Sequence, residues 1–442
     1  MLHIRGRKPE TGHAKFLAVL IRFIRQQWPI ALFVAFATMA AAQAQQAIPL
    51  TLAEAEDLAL AAEPGQAALI AKAAALGEQA IVSEQLPDPT LRAGLANFPI
   101  QSGGFTSEAM TQAQLIVRQA FPAGKSRDAS RRQFESMSLE MTDAAGARGR
   151  DVLMATRRSW LESYYWRRAA DIVAESRPFF SDLATITRSL YSVGSKTQYD
   201  VLRSELELSR LDDRLIDIER QQSGSRAALS EWIGEESRRP VAEKLPSWNE
   251  LPALHVLHGN LLAHPAVTAA DAGVAARLAG VEVAKEKFKP GWAIDLGYGF
   301  RGGYLPSGEA RSDMVSLSIT MDLPVFRGNR QNRSLAAALS ERRAAEGTRE
   351  QLLRRLRSQI DTEYARWQDL SRRLQLYDER ILGQAGAQAQ AALLAYQSEA
   401  GDFADVMRGY IDDLNTRLDY ERLQVERAQS YAVLANLGGL SR

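Results

Sequence analysis

Four stretches of the chain alternate between apolar residues and small or polar ones. They lie at about 90–98, 112–121, 291–300 and 313–323. In the third stretch, for example, every second residue is large and apolar, as at Trp292, Ile294 and Leu296. A period of two predicts β-strands with one apolar face, and it is typical both of a half-buried sheet and of strands in a membrane β-barrel.

A very long helical run follows each pair of predicted strands. The runs 124–190 and 328–395 contain a single proline, Pro178, and are rich in Arg, Glu, Gln, Ala and Leu. About 67 helical residues extend roughly 100 Å. In the segment that follows the first run, Leu208, Leu211, Leu215 and Ile218 recur at the spacing of a coiled-coil seam. We therefore expect two antiparallel helical hairpins, at about 124–234 and 328–440.

The chain contains this pattern twice. An offset of 205 residues pairs Tyr191 with Tyr396 and Asp200 with Asp405. Such self-similarity indicates one structural unit repeated head to tail, running helix, strand pair, long helix and returning helix. The expected segments are a signal peptide at 1–44, a first repeat at 45–236, a linker at 237–252 and a second repeat at 253–442.

The amino-terminal segment has the features of an export signal. Several basic residues precede an apolar run from Trp28 to Ala42, and Ala42-Gln43-Ala44 has the small-x-small pattern of a signal-peptidase site. Cleavage after Ala44 is expected, and a retained membrane anchor is the alternative. The sequence has no cysteine, so we expect no lipid anchor on the mature chain.

Composition excludes several classes of function. The 442 residues carry a formal net charge of +1, which gives no support to a nucleic-acid partner. Without cysteine there are no disulfides and no thiolate metal sites. His255 and His258 are three residues apart, but no convincing acidic cluster accompanies them, so we expect no metal. No catalytic or phosphate-binding motif is found, and we expect neither an enzyme nor a cofactor.

The number of strands limits the architecture. Four strands are too few to close a membrane barrel, and open sheet edges are not tolerated in lipid. The chain therefore forms either a small soluble sheet or part of a barrel to which several copies contribute strands.

Several short motifs resemble those of one known family. They are Leu52-Ala53-Glu54-Ala55, Leu86-Pro87-Asp88-Pro89-Thr90-Leu91, Phe121-Pro122 with Gly124-Lys125, Pro324-Val325-Phe326 with Gly328-Asn329-Arg330, and Tyr191 with Gly194 and Asp200-Val201-Leu202. In this order, and with the duplication, they resemble the TolC-type outer-membrane efflux proteins over essentially everything after Ala44.

The resemblance implies a mainly α fold with a membrane β-barrel. Three chains would contribute four strands each to a twelve-stranded barrel, and their helices would form a coiled-coil tunnel into the periplasm of a Gram-negative envelope. The implied function is that of a passive exit duct in the outer membrane. Its partners would be two further copies of the chain, outer-membrane lipid, a periplasmic adaptor (a membrane fusion protein) and an inner-membrane pump of the resistance-nodulation-division type.

The cargo is left open by the sequence. The Leu-Pro-Asp-Pro motif, followed by Asn97-Phe98-Pro99, is similar to the branch that serves heavy-metal cation pumps. Efflux of organic compounds and type I secretion are the alternatives within the same fold. A soluble periplasmic coiled-coil adaptor or a structural protein is the alternative from a different class.

The resemblance also implies two sets of functional residues at the periplasmic end. The adaptor would contact the helix tips through Tyr191, Gly194, Ser195, Lys196, Thr197, Glu399 and Gly401. The periplasmic gate would comprise Asp405, Tyr396 and Asp402, with three copies of Asp405 ringing the aperture. The family's second gate aspartate corresponds to Arg408 here, and a family arginine corresponds to Gly401, so the polar contacts of this gate are altered. The alternatives are an ordinary hairpin turn and an Asp405 that only caps a helix.

Overall fold

One antiparallel sheet of four strands forms in the order β1-β2-β3-β4 in a computed structural model, which describes residues 48–61, 63–398 and 400–439. The strands are β1 (Thr90–Ala96), β2 (Gln112–Phe121), β3 (Trp292–Phe300) and β4 (Met314–Met321). The predicted signal peptide lies outside the described residues, and so does Glu399. By contacts the chain divides into two units, Met1–Leu50 and Thr51–Arg442, and the architecture below is that of the second.

The helices follow the predicted order. They are α1 (Leu52–Ala61), α2 (Pro64–Glu84), α3 (Ser126–Ser192), α4 (Gln198–Ile233), α5 (Leu254–Asn260), α6 (Pro265–Glu286), α7 (Gln331–Leu376), α8 (Leu382–Gln397) and α9 (Phe403–Gly438). Short 3₁₀ segments lie at Gly234–Arg238 and Leu261–Ala263. One π-helical turn, Tyr377–Ile381, joins α7 to α8. The mainly α fold with a duplicated unit and four strands per chain is therefore confirmed.

The helices α2 and α6, which precede the strand pair in the first and second repeat, begin in equivalent ways. Pro64 and Pro265 each occupy the first turn, where a missing backbone donor is harmless. The side chain before each proline caps the helix. Glu63 accepts from the N–H of Gly65 at 2.9 Å, and Nδ1 of His264 accepts from the N–H of Ala266 at 3.2 Å. Equivalent positions of the two repeats thus carry different capping groups, a carboxylate in the first repeat and an imidazole in the second.

The strand register places an apolar row on one face of the sheet. Leu91 pairs with Val117, Val117 with Leu296, and Leu296 with Leu317. Directly opposed residues of antiparallel strands share a face. All four side chains are exposed, by 44% to 70% of their surface. The sheet therefore presents a wide apolar face that nothing in the described part of the chain covers.

The helices pack as two hairpins that contact each other. α3 packs along α4, α7 and α8 pack along α9, and α9 also packs on α3. The seam predicted from the leucine spacing is confirmed, because Leu211 and Ile218 of α4 share one buried cluster with Leu414 and Leu418 of α9. The core of the hairpins is thus common to both repeats.

Within the described residues, no helix is both long enough and apolar enough to cross a lipid bilayer.

Candidate functional site

The first hairpin turns between α3 and α4 through a left-handed glycine. Gly194 has a φ of 76°, and its N–H donates to the carbonyl of Tyr191 at 2.9 Å. The N–H of Ser195 donates to the carbonyl of Leu190 at the same distance. A side chain at position 194 would meet nothing within 4 Å, so this glycine is needed for its backbone conformation rather than for space.

A complete capping box starts the returning helix α4. Thr197 precedes the helix, and its hydroxyl oxygen accepts from the N–H of Asp200 at 3.3 Å. In return, the N–H of Thr197 donates to the carboxylate of Asp200 at 3.1 Å. Two backbone donors that a helix start would otherwise leave free are satisfied in this way. The first tip is therefore held by its own side chains.

The second hairpin turns differently from the first. The N–H of Ala400 donates to the carbonyl of Ala395 at 2.9 Å. A Cβ at Gly401 would stand 3.0 Å from the Cβ of Ala395 and 3.2 Å from the N of Tyr396, so this glycine is needed for space. Asp402 precedes α9 in an extended conformation, but its side chain makes no capping hydrogen bond.

The tips of the two hairpins meet at one aromatic ring. Tyr396 is only 6% exposed, and its ring packs edge-on against Phe403 with the centroids 5.8 Å apart. The ammonium nitrogen of Lys196, from the first tip, lies 4.3 Å from the centroid of the Tyr396 ring. Burial raises the pKa of Tyr396 and the charge of Asp200 raises it further, while the hydroxyl of Thr187 opposes this. The phenol is therefore neutral at physiological pH.

Asp405 lies in the first turn of α9 and faces away from the core. Its neighbours Val406 and Met407 are fully buried, whereas the Asp405 side chain is 58% exposed. The carboxylate accepts a hydrogen bond from Arg408 at 3.1 Å. An exposed carboxylate of this kind attracts cations, but the guanidinium three residues on neutralises much of its charge.

Below the tips, several contacts join the hairpins that the sequence did not indicate. Phe179 of α3 stacks on Tyr410 of α9 with the centroids 3.4 Å apart. Arg214 of α4 donates to the side-chain oxygen of Asn415 on α9 at 2.9 Å. These pairs are separated by about 200 residues in sequence, so neither local spacing nor periodicity could reveal them.

Histidines and carboxylates do not assemble into a metal centre in the described part of the chain, where no group of three or more such side chains could hold an ion. His258 contacts the carboxylate of Asp361 at 2.9 Å, and His264 is buried as a helix cap. His255 is exposed. The three histidines therefore occupy separate structural roles.

One known protein family matches part of the chain. The sequence profile of the family Outer membrane efflux protein matches residues 256–440, which span the second repeat with its strand pair and hairpin. The chain is therefore similar to the outer membrane efflux proteins over this repeat. This similarity indicates passage of solutes through an outer-membrane channel rather than catalysis.

Further comparisons cover nearly the whole chain. Protein CyaE of Bordetella pertussis is 25% identical over 420 residues, which cover 89% of this chain and 85% of CyaE. The crystal structure of CusC matches with a TM-score of 0.76 at 15% identity, covering 89% of this chain and 93% of CusC. The outer membrane protein VceC of Vibrio cholerae matches with a TM-score of 0.73 at 17% identity, covering 88% and 96%. The two structures show that the fold is shared.

Of the residues that the sequence predicts at the two tips, some contact one another in the structure and others do not. Lys196 and Tyr396 are in contact, and Thr197 has a defined structural role. Tyr191 is exposed beside them, and Asp402 and Asp405 stand on the second tip without bonding to the first. Glu399 lies outside the described residues.

Proposed function

We propose that this protein is an outer membrane efflux protein that works as a trimeric exit duct, with the sheet set in the outer membrane and the helical hairpins extending into the periplasm. The observation that carries the proposal is the exposed apolar row Leu91–Val117–Leu296–Leu317, which runs across all four strands. A face of this kind is stable against lipid and unstable against water.

The opposite face of the sheet suits a wet interior. Ile116 pairs with Gly297 and Gly297 with Ser316, and the next pairs bring Asp295 opposite Arg118 and Ser318. Small and polar side chains predominate on this face, as they do in the lumen of water-filled barrels. A barrel with lipid outside and water inside explains why one face of the sheet is apolar and the other is small and polar.

The two edges of the sheet support assembly with further copies. Within the described residues, β1 pairs only with β2 and β4 only with β3. Unpaired backbone groups are very costly in a bilayer. Three copies that pair β4 of one with β1 of the next would close a twelve-stranded barrel and leave no free edge.

Under this proposal, the hairpin tips contact a periplasmic adaptor, which in turn docks a pump of the resistance-nodulation-division type. The exposed surface of the first tip, around Tyr191 and Gly194, offers room for such contact. The periplasmic gate would comprise Tyr396, Asp402 and Asp405. Tyr396 supports it as the ring that both tips share, and Asp405 as the exposed carboxylate on the second tip. Heavy-metal cations and organic compounds are both candidate cargoes.

Two neighbouring positions on β4 test the membrane assignment. Leu317 belongs to the apolar row, and Ser318 points to the opposite face. We expect Leu317→Arg to destabilise the assembly by about 2–4 kcal/mol, since a cation would face hydrocarbon. Ser318→Arg should leave heat-modifiable trimers in the outer-membrane fraction and change their single-channel conductance. Release of a wild-type monomer by osmotic shock would instead favour a soluble adaptor or a structural protein.

A further inference from the structure

A cleft of about 590 Å³ lies where the polar face of the sheet meets the helices. Its floor includes the row Ala120–Ala293–Thr320, whose members are opposed in the strand register and therefore share a face. This row lies on the same side as Gly297 and Ser316, away from the exposed apolar row. A cleft of this size is within the usual range for small-molecule sites.

Positive charge dominates the lining of the cleft. Arg118, Lys287, Lys289 and Arg330 line it, against one carboxylate, Asp322. Two of these cations are already engaged by carboxylates. Arg118 lies 3.8 Å from Asp295, and Lys289 is 2.8 Å from Glu286.

The other two cations are Lys287 and Arg330. Among the residues that the structure describes, no carboxylate lies within ion-pairing distance of either. Donors that find no acceptor in the protein are available to a ligand, and a cleft with an excess of one charge concentrates ions of the opposite sign.

The amino-terminal end of α7 adds to the positive electrostatic potential in the cleft. Arg330 directly precedes this 46-residue helix, no side chain caps it, and no acidic residue occupies its first turn. The positive end of the helix dipole thus faces a cleft that already contains unpaired cations. The cleft therefore has an excess of positive charge that Asp322 offsets only in part.

We propose that this cleft binds the anionic group of a solute, of the phosphate, carboxylate or sulfonate type, through Lys287 and Arg330. The inference rests on the proposed duct, in which the cleft would open into the lumen at the level where barrel and tunnel join. It narrows the cargo, because the excess positive charge repels free metal cations and attracts anionic organic compounds.

The double variant Lys287→Gln/Arg330→Gln tests the site in the full-length trimer. Its matched control, Lys72→Gln/Lys244→Gln, removes the same charge from exposed positions outside the cleft. Inorganic pyrophosphate serves as the probe, and titration calorimetry measures its binding to the detergent-solubilised protein. We expect the double variant to weaken binding at least tenfold and the control to match wild type. Equal binding by all three proteins, or none by wild type, would overturn the site.

Single-channel recordings in neutral-lipid bilayers separate this inference from the proposed function. We expect pyrophosphate to block the wild-type channel and the control, and the double variant to lose the block and at least half of the anion-to-cation permeability ratio. If the protein binds pyrophosphate but forms no channel, the anion site is supported and the proposed duct function is contradicted. A channel that pyrophosphate does not block would place the site outside the lumen and overturn the cargo assignment. Loss of block when phosphatidylglycerol is added would identify a lipid headgroup as the occupant and overturn the soluble-solute assignment.

Discussion

The ammonium group of Lys196 lies over the ring of Tyr396, 4.3 Å from its centroid, and joins the tips of the two hairpins. The lysine comes from the turn after α3, and the tyrosine ends the α8 segment of the second repeat. A cation over an aromatic ring contributes about 0.5–1 kcal/mol at an exposed site. This contact therefore couples the two tips without locking them together.

Replacing the lysine should loosen the tips without unfolding the hairpins. We expect Lys196→Gln to increase the open probability of single channels several-fold, since about 1 kcal/mol corresponds to roughly a fivefold change in an equilibrium. Tyr396→Phe retains the ring and should behave as wild type. Lys244→Gln, which removes an exposed lysine elsewhere, serves as the charge control. An open probability that Lys196→Gln leaves unchanged would contradict a coupling role for this contact.

Asp405 and Arg408 should affect cation block in opposite directions. The two side chains form a 3.1 Å ion pair, so Arg408 offsets the carboxylate that we propose for the aperture. We expect Asp405→Ala to reduce block by multivalent cations and Arg408→Gln to increase it, both measured in single-channel recordings. Asp412→Asn, at an exposed position of the same helix, is the control. If neither the block nor the cation selectivity changes in Asp405→Ala, Asp405 is not part of a gate.

The order of elements could be predicted because each has a local signal. Strand boundaries predicted from alternation agree with the structure within about two residues, since Pro89, Pro122 and Pro290 mark their ends. The seam of Leu211 and Ile218 was predictable from spacing for the same reason. The spacing of apolar residues indicates which face of a helix or strand is buried. In this chain most helices and strands are long enough for that spacing to be recognised.

Contacts between the repeats could not be predicted in this way. The stacking of Phe179 on Tyr410 depends on how α9 lies against α3, and no local pattern encodes that packing. Helix irregularity also escaped the sequence. No local pattern marks the π-helical turn at Tyr377–Ile381. Asp405 was a candidate helix cap, yet its side chain bonds Arg408.

The two returning helices should differ in how much their first turn depends on the preceding side chain. Thr197 has a complete capping box, whereas Asp402 makes no capping hydrogen bond. We expect Thr197→Ala to cost about 1 kcal/mol and to accelerate amide hydrogen exchange in the first turn of α4. Asp402→Ala should leave exchange in the first turn of α9 nearly unchanged. Equal effects of the two substitutions on amide exchange would contradict this prediction, because the two caps would then be equivalent.

His264 should make the stability of the second repeat depend on pH. Burial and the positive charge of Arg150 together lower the pKa of this histidine from its ordinary value of 6.5 to about 4, against an opposing hydrogen bond with Asn436. Only the neutral ring can cap α6, because Nδ1 must accept the N–H of Ala266. Between pH 6.5 and about 4 the unfolded chain therefore binds a proton that the folded chain does not.

It follows that the free energy of unfolding contributed by His264 is fully present above pH 6.5 and is lost progressively as the pH falls towards 4. Thermal unfolding of the detergent-solubilised protein across this range measures the loss. His264→Asn keeps a neutral side-chain acceptor at the cap position and should flatten the profile between these two values. His255→Asn, at an exposed position, should retain the wild-type slope. A wild-type slope in His264→Asn would mean that other groups, and not this cap, govern stability in mild acid.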